Sequence, residues 1–143
     1  MKVVLYQLDG KLPNIALMRI SAHHKALGDD VELRRTRNAG RNLWDDGTER
    51  VYASLIFETS RRYAEAILEQ FPSAIVGGTG WDVVSKLEAH GIDTLEQDYE
   101  IYPEFQGSIG FTQRGCRLKC PFCVVPRKEG KMHGEQTIMD IWR

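Results

Sequence analysis

The sequence predicts an α/β fold built on a small parallel sheet, followed by a short second segment that carries a metal or redox site. Over the first ninety residues, apolar β-branched runs alternate with stretches of helical period. Strands separated by helices favour parallel pairing with both sheet faces covered. The second segment is marked by cysteine: all three lie between Cys116 and Cys123. An odd, tightly clustered set is a poor disulfide framework and suits metal or redox chemistry.

The elements follow in order. Val3–Leu8 is a β-branched run stopped by the turn pair Asp9-Gly10. Pro13 opens a helix in which Ile15, Met18, Ala22 and Ala26 keep helical spacing, with Gly28 as its C-cap. Val31 and Leu33 alternate with Glu32 and Arg34, a short strand with one wet face. Residues 35–47 read as a polar loop. Val51–Phe57 is the next strand, and Thr59 or Ser60 caps a helix carried by Tyr63, Ile67 and Phe71 until Pro72 ends it. Ala74–Val76 is a fourth strand, running into Gly77-Gly78-Thr79-Gly80. Asp82–His90 reads as a short helix closed by Gly91.

From Asp93 to Gln106 the acids Asp93, Glu96, Asp98, Glu100 and Glu104, with Pro103, read as exposed linker. Ser108–Thr112 is a strand leading directly into Arg114-Gly115-Cys116, and Ile138, Ile141 and Trp142 begin an apolar-faced helix. The expected organisation is an α/β unit over 1–95, a linker over 96–107 and a cysteine-bearing segment over 108–143.

Composition narrows the function classes. At 143 residues, with 42% hydrophobic and 27% charged residues, the chain is globular rather than disordered. With 19 Lys+Arg against 20 Asp+Glu, the formal net charge of −1 indicates neither nucleic acid nor a membrane surface as partner. Val3–Tyr6 and Leu55–Phe57 fall far short of the ~20 apolar residues of a membrane helix. Asp9 comes too early for a signal-peptide core, so the expected location is the cytoplasm. No Ser/His/Asp triad, Walker-type loop or strongly paired carboxylates stand out.

The cysteines have the spacing C-x3-C-x2-C: Gly115-Cys116-Arg117-Leu118-Lys119-Cys120-Pro121-Phe122-Cys123. Three thiolates on one tight loop can hold three irons of a cubane cluster and leave the fourth without a protein ligand. An open coordination position distinguishes catalytic metal sites from closed structural ones. Arg114, Arg117, Lys119, Arg127, Lys128 and Lys131 surround the loop, with Glu129 the one acid among them. Cationic neighbours lower thiol pKa and offset the charge of a thiolate-bound cluster.

This cysteine spacing, with an aromatic before the last cysteine and a short strand and glycine ahead of the first, resembles the radical S-adenosylmethionine (SAM) enzyme signature. The likeness is close from Ser108 to about Gly130. It implies that Cys116, Cys120 and Cys123 ligate a [4Fe-4S] cluster whose open iron chelates SAM, with Phe122 beside the adenine. It further implies a radical SAM enzyme that cleaves SAM reductively to methionine and a 5′-deoxyadenosyl radical. A reductant such as a flavodoxin or ferredoxin, and an unknown substrate, would be its partners. The alternatives are a non-catalytic α/β docking or cofactor-binding module with a vestigial cluster loop, and a zinc-stabilised binding domain with His133 as fourth ligand.

The preceding α/β unit is similar to the flavodoxin- or Rossmann-like, cobalamin (B12)-binding type of domain that often precedes a radical SAM barrel. The resemblance departs from that pattern in lacking D-x-H-x-x-G, the motif of cobalt ligation through histidine. His23 and His24 fall within a predicted helix and read as structural. Cobalamin stays open only as a ligand bound without protein ligation of cobalt, and Gly77–Gly80 reads first as a tight turn. The run Arg34-Arg35-x-Arg37 with Arg41, followed by Asp45 and Asp46, reads as a solvated loop, and Trp44 and Trp81 as packing residues.

A complete barrel needs at least about 200 residues, so residues 108–143 are expected to be only its first strand and cluster loop. No equivalent of the family's Gly-Gly-Glu element is visible, and the expectation is a chain that continues beyond Arg143. Unfilled strand edges and an exposed cluster would make this portion oxygen-sensitive and poorly soluble.

Overall fold

A computed structural model describes residues 1–37 and 47–143. The chain divides into two compact units, Met1–Pro103 and Glu104–Arg143. Arg41, Trp44, Asp45 and Asp46, singled out in the sequence, lie outside the described residues.

The first unit is α/β with a four-stranded parallel sheet in the order β2-β1-β3-β4. Its strands are β1 (Lys2–Gln7), β2 (Asp30–Arg35), β3 (Thr48–Ser54) and β4 (Ile75–Gly77). Helix α1 (Ile15–Ala26) lies between β1 and β2 in the chain, and α2 (Arg61–Gln70) between β3 and β4. Because side chains alternate along a strand, β1 feeds two cores. Val3 and Leu5 pack with Leu17 and Ile20 of α1, Tyr52 and Ile92. Val4, Tyr6 and Leu8 pack with Val51, Ala53, Leu55 and, from α2, Ala64 and Ile67. Fully burying each large side chain contributes about 1.5–3 kcal/mol.

Local chemistry sets the boundaries. Asn14, rather than Pro13, caps α1, its side chain accepting from the Leu17 N–H at 3.2 Å. The strand expected over Val51–Phe57 leaves the sheet after Ser54. The reason is Asp9, whose two carboxylate oxygens accept from the Ile56 and Phe57 N–H groups at 2.7 and 3.0 Å. Ser60 sits at the N-cap of α2 but its hydroxyl makes no capping bond. The helix expected over Asp82–His90 shortens to a single turn, Leu87–His90, because the Asp82 carboxylate takes the Val84 and Ser85 N–H groups at 2.8 and 3.1 Å.

The Gly-rich turn after β4 is explained by chain packing. Gly78 has φ +101°, and a Cβ there would strike the Leu55 carbonyl. A Cβ on Gly80 would lie 2.5 Å from the Phe57 carbonyl carbon. Both glycines let this turn close onto the end of β3, where the Gly80 N–H donates to Leu55 O at 3.2 Å. Trp81 lies under the Arg61 guanidinium at 4.7 Å, as packing.

Of the two histidines of α1, His24 has a structural role. His24 is buried, with Nδ1 2.7 Å from Asp29 Oδ2 and Nε2 3.0 Å from the Tyr52 hydroxyl, so both ring nitrogens are committed. That contact, first among its causes, holds the Asp29 carboxyl below the ordinary carboxylate range.

In the stretch from Asp93, Asp93, Glu96, Glu100 and Glu104 are exposed as expected, but the segment up to Pro103 packs back onto the first unit. The Asp98 N–H donates to Met18 O, the Ser21 hydroxyl donates to the Asp98 carboxylate, and Tyr102 is fully buried. The Tyr102 hydroxyl donates to Gln7 Oε1 at 2.8 Å and accepts from the Asn14 N–H at 3.2 Å, tying the end of this unit to β1 and to the start of α1. Among the described residues no helix is long and apolar enough to cross a membrane.

Replacing Tyr102 by Phe keeps the ring but leaves Gln7 Oε1 and the Asn14 N–H unpaired. The expected loss is about 1–3 kcal/mol of unfolding free energy, read by denaturant titration; an unchanged midpoint would show that the hydroxyl contributes nothing.

Candidate functional site

The second unit holds the cysteine loop. Its regular structure is slight: β5 (Gln113–Arg114) pairs antiparallel with β6 (His133–Gly134), with the single-turn helix α3 (Val125–Lys128) between them in the chain and α4 (Ile138–Ile141) after them. Thr137 and Asp140 form a reciprocal capping box on α4. The strand expected over Ser108–Thr112 is absent, and Gln113–Arg114 is all that forms. Ser108 and Thr112 are engaged instead by the C-terminal residues: Ser108 Oγ accepts from the Arg143 N–H at 2.8 Å and Thr112 O from the Glu135 N–H at 3.1 Å. Gly110 packs beneath Ile141, where a Cβ would lie 2.7 Å from Cγ1.

The two-residue ladder brings the ends of the loop together, and Glu129 locks them. One Glu129 carboxylate oxygen accepts from Arg114 Nη2 at 2.8 Å and the other from the Gly115 N–H at 3.0 Å. The Cys116 N–H donates to Gly130 O at 3.3 Å. Gly115 has φ +77°, and an added Cβ would collide with the Lys131 carbonyl, so glycine is required where the strand turns into the loop. Arg114 also approaches Glu135 at 3.3 Å and lies over the Phe111 ring at 4.7 Å.

Cys116, Cys120 and Cys123 are free thiols, each partly exposed. The Leu118 N–H points at Cys116 Sγ at 3.4 Å, and the Cys123 N–H donates to Cys120 O at 3.1 Å, a tight turn through Pro121 and Phe122. Among the described residues no group of three His, Cys, Asp or Glu side chains is arranged to hold a metal ion, the three cysteines included. The donor set fits an iron-sulfur cluster in kind: three thiols on one loop, a backbone N–H directed at sulfur, and surrounding cations.

His133, the residue a zinc site would recruit, is exposed, and its Nδ1 lies 2.9 Å from Lys131 O. Phe122 is 90% exposed, a bare ring on the loop surface. Leu118, Met132, Ile138, Met139 and Trp142 are also exposed. Burial, first, and the neighbouring Arg114 charge push the Lys128 ammonium below its ordinary value. The Arg114 hydrogen bond, first among the causes, holds Glu129 below its ordinary 4.5.

Sequence reading identified the thiols and the cations. It counted Glu129 only as an acid among bases; its role as the clasp of the loop became visible with the pairing of β5 and β6. Comparisons with protein-family models, with curated proteins and with solved structures find no match to this chain.

Because the Glu129 pKa is depressed in the folded state, its contribution is present above the unfolded value of 4.5 and is lost as pH falls through the lower folded value. The Gly115 amide resonance, followed by NMR, is expected to titrate with a midpoint below 4.5, and Glu129→Gln to abolish the titration. A midpoint at or above that value would contradict the clasp.

Proposed function

We propose that the second unit carries the [4Fe-4S] site of a radical SAM enzyme, with Cys116, Cys120 and Cys123 as its three protein ligands. The observation that carries this reading is the set of three free thiols on one loop whose ends Glu129 and Gly130 hold together. With three ligands from the chain, a fourth coordination position is left for the amino and carboxylate groups of SAM. When bound, the cluster supplies the electron that cleaves SAM reductively to methionine and a 5′-deoxyadenosyl radical.

The chain's own residues hold and tune that site. The thiols would bind as thiolates, and Arg117 and Lys119, within the loop itself, would offset that negative charge. To hold the cluster the three thiols would have to converge on it, as in metal sites that order with their ligand. The bare Phe122 ring offers a flat apolar surface to the adenine. Glu129, bound to Arg114 and Gly115, fixes the strand from which the first cysteine departs. The electron would come from a flavodoxin- or ferredoxin-type donor, and the substrate class is set by residues beyond this loop.

Anaerobic reconstitution tests the reading. The wild-type chain is expected to take up about four irons and four sulfides with broad visible absorbance, and Cys116→Ala, Cys120→Ala and Cys123→Ala each to lose most of both. One zinc without sulfide, or full iron in the Cys120→Ala variant, would overturn it.

A further inference from the structure

The near balance of charge over the whole chain hides an uneven division. The second unit, Glu104–Arg143, holds seven Lys and Arg against four Asp and Glu. Its acids have other uses. Glu129 is bound to Arg114 and Gly115, Glu135 lies 3.3 Å from Arg114, and Asp140 caps α4 with Thr137. Glu104 opens the unit and lies outside the cysteine loop.

Four cations of the loop are not engaged in this way. Arg117, Lys119, Arg127 and Lys131 are exposed, and among the described residues their side chains make no ion pair or hydrogen bond. All four belong to one closed loop. The Cys116 N–H meets Gly130 O at 3.3 Å and the Gly115 backbone packs on the Lys131 carbonyl, so the two arms of the loop start side by side. Exposed Leu118, Phe122 and Met132 are interspersed with the cations along the chain. Apolar groups framed by charge suit a protein interface. A nucleic-acid strand calls for several stacking rings, and Phe122 is the one ring of this set. The partner that complements such a surface is an acidic protein.

We infer that the loop surface docks an acidic one-electron donor protein, whose carboxylates meet Arg117, Lys119, Arg127 and Lys131. The donor's identity rests on the cluster reading above, because that chemistry consumes an electron and the thiols are partly exposed on this same loop. The donor gives up one electron to the site, and no bond forms or breaks in that step. A cluster core is itself cationic and offsets most of the charge of its three thiolates, so the surface stays positive when loaded.

Calorimetric titration of the unloaded chain with oxidised plant-type ferredoxin, an acidic one-electron carrier, reads docking by itself. Saturable binding that weakens as salt rises is expected. Arg127→Glu and Lys131→Glu, checked for folding by circular dichroism, are each expected to weaken it at least about five-fold. On reconstituted chain, stopped-flow absorbance compares reduction by reduced ferredoxin with reduction by photoreduced 5-deazariboflavin, a small uncharged donor. Arg127→Glu and Lys131→Glu together are expected to lower the ratio of the two rates at least about ten-fold. A ratio that does not move, or ferredoxin binding indifferent to both reversals, overturns the docking surface. Binding of a single-stranded RNA oligonucleotide in place of ferredoxin overturns the choice of partner. A chain that takes up no cluster overturns the cluster reading and the donor's role with it, and the calorimetric result then decides docking alone.

Discussion

The first unit depends on the burial of β1 on both faces and both edges. Val3, Val4, Leu5, Tyr6, Gln7 and Leu8 are all buried, and the strand is hydrogen-bonded to β2 on one side and β3 on the other. From Val3 to Tyr6 the strand is apolar on both faces, with α1 packed on one and α2 on the other. Its end is equally constrained: Gln7 sends its amide N–H groups to Asp9 O and Leu12 O while its carbonyl oxygen accepts from Tyr102. One buried side chain thus fixes the turn after β1 and the last residues of the unit.

This explains what could be read from sequence. The runs at β1 and β4 and the spacing of α1 and α2 are local signals, and each produced its element. What sequence misjudged was decided by side chains that capture distant or neighbouring backbone. Asp9 ends β3 from 47 and 48 residues away, and Asp82 unmakes the start of a helix through an Asx turn. The acids of the 93–103 stretch suggested solvent, yet Asp98 serves as a partner for Ser21 and Lys25, and the stretch ends on a buried tyrosine. Asp98 is the exception among these acids, since Asp93, Glu96, Glu100 and Glu104 are exposed as their charge suggested.

In the second unit the thiols were legible because their spacing is local, and the clasp was not. Glu129 reaches back 14 and 15 residues to Gly115 and Arg114, a closure that only the short β5–β6 ladder reveals. The expected barrel strand over Ser108–Thr112 gives way to bonds with Glu135 and Arg143, so this unit holds itself together through its own ends. Six cations neighbour the three thiols along the chain, and Arg114 among them is already paired with Glu129.

The proposed site requires that a SAM molecule meet one iron that the chain itself does not hold. Mössbauer spectroscopy of chain reconstituted with iron-57 addresses this directly. The expected spectrum resolves one iron of about four as distinct, and SAM shifts that iron alone. Four irons unmoved by SAM, or no cluster iron at all, would contradict the account.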